Sequence, residues 1–175
     1  MDQQIRYPTS GQVDRLHARI LEVSSGKPGY LSRSSLEYVL ETVKHIGMNL
    51  DPGQSVMRRA SFLLYNIVRQ HPFAGGNKRT AYELAKLFTN FNGYTVKSST
   101  ETIYRMLLDV EAVKLSAKMV EKWMEANLVK SGPSGKKSST SNEIDNKDFD
   151  DAMTRTLAED KELLEMLSKM SEAAR

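Results

Sequence analysis

A chain of 175 residues with 39% hydrophobic and 27% charged side chains is long enough to bury one full core, and its balance is that of a globular protein. It contains no cysteine, which excludes disulfides, thiolate metal ligands and a cysteine nucleophile, and no apolar run nears the roughly 18 residues that a membrane span needs. Of the 25 cations and 22 anions, 8 and 10 fall in residues 130–175, which leaves a net +5 on residues 1–129 against −2 on the tail. The body therefore suits phosphates or acidic segments, the tail being one such segment, and the plain alternative is a solvated surface of mixed charge. The opening residues, MDQQIRYPTS, lack the apolar centre of a signal peptide, so a cytoplasmic protein is expected.

Helical periodicity dominates the chain. Thr9 and Ser10 are capping candidates for a first helix with Val13, Leu16, Ile20 and Val23 inward. The stretch SSGKPGYLSRS predicts a loop or a short hairpin near residues 26–33. A second helix follows with Leu36, Val39, Leu40 and Val43 on one face. Asp51 and Pro52 cap and open a third, whose Ala60, Leu63, Leu64, Ile67 and Val68 mark it as the central helix. It ends at His71, because the residue before Pro72 is pushed out of the helical region. A fourth helix carries Ala81, Leu84, Leu87 and Phe88 inward and stops at Asn92–Gly93. YTVKSS is an extended link, and STETIYRMLLDV and LSAKMVEKWMEANLV are two more helices. Outside the 26–33 stretch no strand pattern is evident, and there is no internal repeat.

Residues 130–147 are nearly free of apolar side chains and read as a flexible linker by composition. Residues 148–175 then predict one amphipathic helix, with Phe149, Met153, Leu157, Leu164 and Leu167 on one face and Asp148, Asp150 and Asp151 near the start, where they suit the helix dipole. Such a helix needs a surface to cover its apolar stripe. The body (residues 1–129), a second copy and a separate partner all qualify.

The densest chemistry lies in HPFAGGNKRT, residues 71–80. A buried helix ends there, a tight turn follows, and the next helix begins. The start of that helix exposes N–H groups and a partial positive charge. Gly75 and Gly76 allow close approach of the backbone and positive φ angles, which makes an anion cradle suited to phosphate. Lys78 and Arg79 add full charge, Asn77 either holds a phosphate oxygen or pins the loop, and Phe73 anchors the loop in the core. His71 stands at the rim as a general base for an attacking hydroxyl. Taken singly each feature is ordinary, since a histidine before proline is more often a hydrogen bonder at a helix end. Their coincidence between two helices is what points to phosphoryl or nucleotidyl transfer.

HPFAGGNKR resembles the signature of the Fic/Doc family, H-P-F-x-[D/E]-G-N-[G/K]-R, at His71, Pro72, Phe73, Gly76, Asn77, Lys78 and Arg79. GKPGYLSRSSLEYVLETV is similar, more weakly, to the flap and following helix of Doc-like members, and the resemblance covers roughly residues 5–128. It implies an all-α, Fic/Doc-type helical bundle with a short flap hairpin, and an ATP-using enzyme that modifies protein hydroxyls, with Mg²⁺ as its metal. Fic members transfer AMP; Doc-like members bind the nucleotide reversed and transfer the γ-phosphate. Lys78 in place of a glycine, and Tyr82 in place of a second arginine, are the Doc-like features. The family's metal-binding acid falls at Gly75, which offers no side-chain oxygen, so no metal ligand is assigned. Catalysis with altered or weakened metal binding, loss of catalysis with binding retained, and a variant chemistry remain open, the first being preferred because His71, Asn77 and Arg79 are present.

Family members are commonly restrained by a helix carrying [S/T]-x-x-x-E-[G/N]. Ser139–Glu143 and Ser168–Glu172 match it only in part. Residues 148–173 nonetheless resemble an antitoxin segment in character, which suggests self-inhibition or an antitoxin-like partner; a helix for dimerisation or for an unrelated partner is the equal alternative. The rival function is a catalytically impaired Fic-fold binding or regulatory module. A nucleic-acid-binding role has less support, because no helix has a clustered basic face with interleaved aromatics.

Overall fold

The computed structural model describes residues 4–135 and 141–173. Among these, eight α-helices and one two-stranded sheet surround a single hydrophobic core, and no helix is long and apolar enough to cross a membrane. The fold is all-α with a short extended pair, as expected.

Helix α1 (Ser10–Ser24) starts with a reciprocal cap: Thr9 Oγ accepts from Gln12 N–H, and the Gln12 side chain accepts from Thr9 N–H. Val13, Leu16, His17 and Ile20 face the core, whereas Val23, expected inward, is 44% exposed. Helix α2 (Arg33–Thr42) is capped by Ser32 and buries Leu36, Val39 and Leu40 before a short 3₁₀ turn, Val43–His45. Helix α3 (Pro52–Gln70) has Asp51 as cap and Pro52 in its first turn. It ends at His71, which adopts left-handed φ 46°, ψ 60°.

Helix α3 is central as expected, packing against α2 and three later helices, and one of these, α4 (Asn77–Phe91), is buried more completely still. Thirteen of its residues are buried, around its whole circumference, including Asn77, Arg79, Glu83 and Lys86. Periodicity understated α4 because these polar side chains are satisfied inside the protein instead of marking a solvent face. Strand β1 (Tyr94–Val96), helix α5 (Thr100–Glu111), helix α6 (Ala117–Asn127) and strand β2 (Leu128–Lys130) follow. The strands pair antiparallel, Tyr94 with Lys130 and Val96 with Leu128, so the sheet lies where an extended link and a helix end were expected. The 26–33 stretch is extended loop with one antiparallel bridge, Tyr30 to Phe73.

The tail, residues 130–175, differs most from expectation. Part of the expected linker, residues 136–140, lies outside the described residues. The described parts on either side are tied down. Ser134 N–H donates to Asn90 O at 2.8 Å, Tyr7 N–H to Asn142 O at 2.7 Å and Ile144 N–H to Tyr7 O at 3.1 Å. Ile144 itself is buried, with Gln12 Nε2 donating to its carbonyl at 2.6 Å. The expected single helix is two, α7 (Asn146–Glu159) and α8 (Lys161–Ala173), broken at Asp160. Phe149, Met153, Leu157, Leu164 and Leu167 are all buried in the same core as α1 to α6. Lys86 of α4 meets the break, its Nζ 2.8 Å from Asp160 Oδ2 and 3.1 Å from Glu159 Oε2.

Candidate active site

The loop between α3 and α4 is built from below by rings. Phe73 is 1% exposed, and the His17 imidazole stacks on it with centroids 3.9 Å apart and planes 9° apart. Tyr30 tilts against the same ring at 4.9 Å. His17 Nε2 donates to Gly75 O at 2.8 Å, which fixes the Nε2–H tautomer. Burial lowers the His17 pKa, the Gly75 carbonyl works against that and Arg79 adds to it, so the ring is neutral. Asn77 closes the loop: its Oδ1 accepts from Phe73 N–H at 3.0 Å and its Nδ2 donates to Phe73 O at 2.8 Å. Of the two roles open to Asn77, the loop pin is the one observed.

Alongside runs the 26–33 loop. Gly29 O accepts from Ala74 N–H at 2.9 Å, and Pro72 O accepts from Leu31 N–H at 2.7 Å and Ser32 N–H at 3.0 Å. Tyr30 OH donates to Asp14, and Arg33 lies over the Tyr30 ring. Burial, then the Asp14 partner, pushes the phenol pKa well above its ordinary value.

A cavity of about 340 Å³ opens on this framework, at the lower end of the ligand-pocket range. His71, Gly75, Gly76, Asn77, Lys78 and Arg79 all line it, so these six expected site residues converge, with Phe73 beneath them as anchor. Gly76, the N-cap of α4, has the positive φ, 75°; Gly75 does not need one. The His71 side chain is 46% exposed at the rim. Arg79 is buried and holds the end of α1, its Nη1 donating to Ser24 Oγ at 2.7 Å and Ser25 O at 2.5 Å. Tyr82 is buried away from the cavity, with burial first and then Asp160 raising its phenol pKa.

Outside the motif, sequence reasoning missed four contributors to the wall: Leu108 and Glu111 of α5, and Leu167 and Met170 of α8. Glu111 is the one carboxylate among the described lining residues. Its Oε2 stands 2.5 Å from Lys78 Nζ and 4.0 Å from His71 Nε2. His17 was missed too, although its place four residues after Val13 and three before Ile20 put it on the buried face of α1.

Mg²⁺ does not fit this site in the way the motif would hold it. Gly75 carries no oxygen, and a Cβ there would lie 2.9 Å from Lys27 N and 3.1 Å from Lys27 O, so the space of the missing side chain belongs to the 26–33 loop's backbone. Among the described residues no three acids or histidines cluster to hold a metal.

A ring-supported loop, a helix N-terminus and a histidine at the rim thus meet at one cavity. Residues 7–89 match the Fic/DOC family model, so this segment of the chain is similar to that family. None of the curated proteins compared matches the chain. The family generally includes transferases that act on proteins. Glu111, Leu167 and Met170 lie outside the matched segment.

Proposed function

We propose that the protein transfers a phosphoryl group from ATP to a protein hydroxyl, with adenylyl transfer as the alternative outcome of the same site, and that it works in the cytoplasm. One observation carries the reading: His71 and the first turn of α4, with Lys78, bound one cavity. The first turn of a helix has N–H groups without partners in the helix and favours negative charge. Phosphates would rest against the Gly75–Asn77 backbone, beside the charges of Lys78 and Arg79. His71 accepts the proton of the target hydroxyl as its oxygen attacks phosphorus. The new oxygen–phosphorus bond forms while the bond to the ADP leaving group breaks; attack at the α-phosphorus instead expels pyrophosphate. The 26–33 loop, with Leu31 70% exposed, presents an edge for an extended target segment.

α8 carries a second element of the reading. Leu167 and Met170 line the cavity, so a docked α8 restrains access, and its release, or its replacement by an antitoxin-like partner, would change activity. A catalytically impaired binding module is the competing reading, and the crowding at Gly75 favours it. The test is a full-length His71→Ala variant with labelled ATP and extract proteins. Loss of at least about 100-fold in transfer is expected for removal of a general base, with ATP binding measured by calorimetry retained. Undiminished transfer by the variant overturns the role of His71.

A further inference from the structure

The cavity has its own anion. Lys78 is 13% exposed on its side chain and Glu111 38%, and their contact at 2.5 Å lies against the same helix N-terminus that would receive a phosphate. Lys78 is in the first turn of α4 and Glu111 is the last residue of α5, 33 positions away. The pair is thus made by the fold and not by local sequence. Glu111 Oε2 also stands 4.0 Å from His71 Nε2. A carboxylate in that position gives Lys78 the electrostatic partner a phosphate would give it, and it repels any phosphate that arrives.

We propose that Glu111 is a specificity-determining residue of this cavity, an internal anion that a phosphate group must displace from Lys78 in order to bind. The proposal rests on the reading of the cavity as a phosphate site. Two negative groups cannot share one ammonium at close range without repulsion. Binding therefore takes place only when the ligand's contacts with Lys78 and the α4 N-terminus exceed those of Glu111. A singly charged anion replaces one carboxylate with no gain in charge, whereas a polyphosphate brings more. The device selects polyphosphates over simple anions. Where a carboxylate at position 75 would have worked through a metal ion, the carboxylate at position 111 works on a lysine.

The test uses inorganic tripolyphosphate titrated by calorimetry into the full chain: wild type, Glu111→Gln, Lys78→Gln and the double variant. Glu111→Gln is expected to bind about fivefold more tightly, the upper end of what a partly exposed pair is worth, with the gain shrinking in high salt. The gain disappears in the Lys78→Gln background. An affinity equal to or weaker than wild type in Glu111→Gln, the absence of binding in both, or a gain that persists without Lys78 overturns the proposal. Thermal melting checks the fold of each variant, and Glu111→Asp, which shortens the same side chain, is the second variant and is expected to tighten binding in the same direction. Tighter tripolyphosphate binding with no transfer from ATP upholds Glu111 and removes the transferase reading. Transfer from ATP with unaltered tripolyphosphate affinity does the reverse.

Discussion

His71, Phe73, Gly76, Asn77, Lys78 and Arg79 were legible as a group because their chemistry is compressed into one turn. Their partners were not. Nothing near Glu111 in the sequence marks it, since its contact with Lys78 depends on how packing against α3 and α8 brings the end of α5 to the first turn of α4. His17 was readable in principle, as a polar residue at core spacing. It also sets a pH dependence. Burial holds its folded pKa below the ordinary value near 6.5, so the unfolded chain binds its proton first. The stability tied to neutral His17 is complete above about pH 6.5 and is lost as pH falls through and below it. Thermal melting between pH 7.5 and 5.5 is expected to show a falling midpoint, and His17→Gln to flatten that fall. An equally steep fall in the variant would assign it elsewhere.

Helix by helix, the sequence was most informative where one face meets solvent, as in α1 and α2. It was least informative for α4, which is wrapped by other elements, and at Asp160, where no glycine or proline announces the break between α7 and α8. The break coincides with a buried charge cluster. Glu83 is fully buried; burial first, then the nearby Asp160 charge, raises its pKa well above the carboxylate range, while its Oε2 accepts from Thr156 Oγ1 at 3.3 Å. Lys86 is drawn down by burial but held up more strongly by Asp160 and Glu159. For Glu83 the sign is opposite to that of His17. The folded state keeps a proton that the unfolded state loses above about pH 4.3, so this contribution weakens as pH rises. Glu83→Gln is expected to be neutral or destabilising near pH 5 and stabilising near pH 8, read from midpoints of urea unfolding at the two values. A variant whose effect does not change between them would show that Glu83 is ionised in the fold.

At the scale of the molecule, one core includes the tail. Composition suggested a body (residues 1–129) with a tethered helix (residues 148–175), because residues 130–147 are polar; burial of Ile144, Phe149, Leu157 and Leu167 joins them. Removing residues 131–175 would therefore strip apolar surface from α1, α4 and α5, at about 1.5–3 kcal/mol for each large buried side chain. The truncated chain is expected to melt far below the full one. A gentler change tests restraint: Met170, 42% exposed at the cavity edge, replaced by alanine, should leave the melting midpoint within a few degrees and raise transfer from ATP. Unaltered or reduced transfer at unaltered stability would remove the restraining role of α8.

The most direct measurement of the central claim is paired labelling of extract proteins by the full-length chain. ATP carrying the label at the γ- or the α-phosphate is supplied with and without a divalent cation, and His71→Ala runs beside each reaction. The account predicts γ-label on a protein band, absent with His71→Ala; His71-dependent α-label would make the protein an adenylyl transferase from the same site. Transfer of neither label, or transfer indifferent to His71, would contradict the account and leave the cavity as a binding site alone.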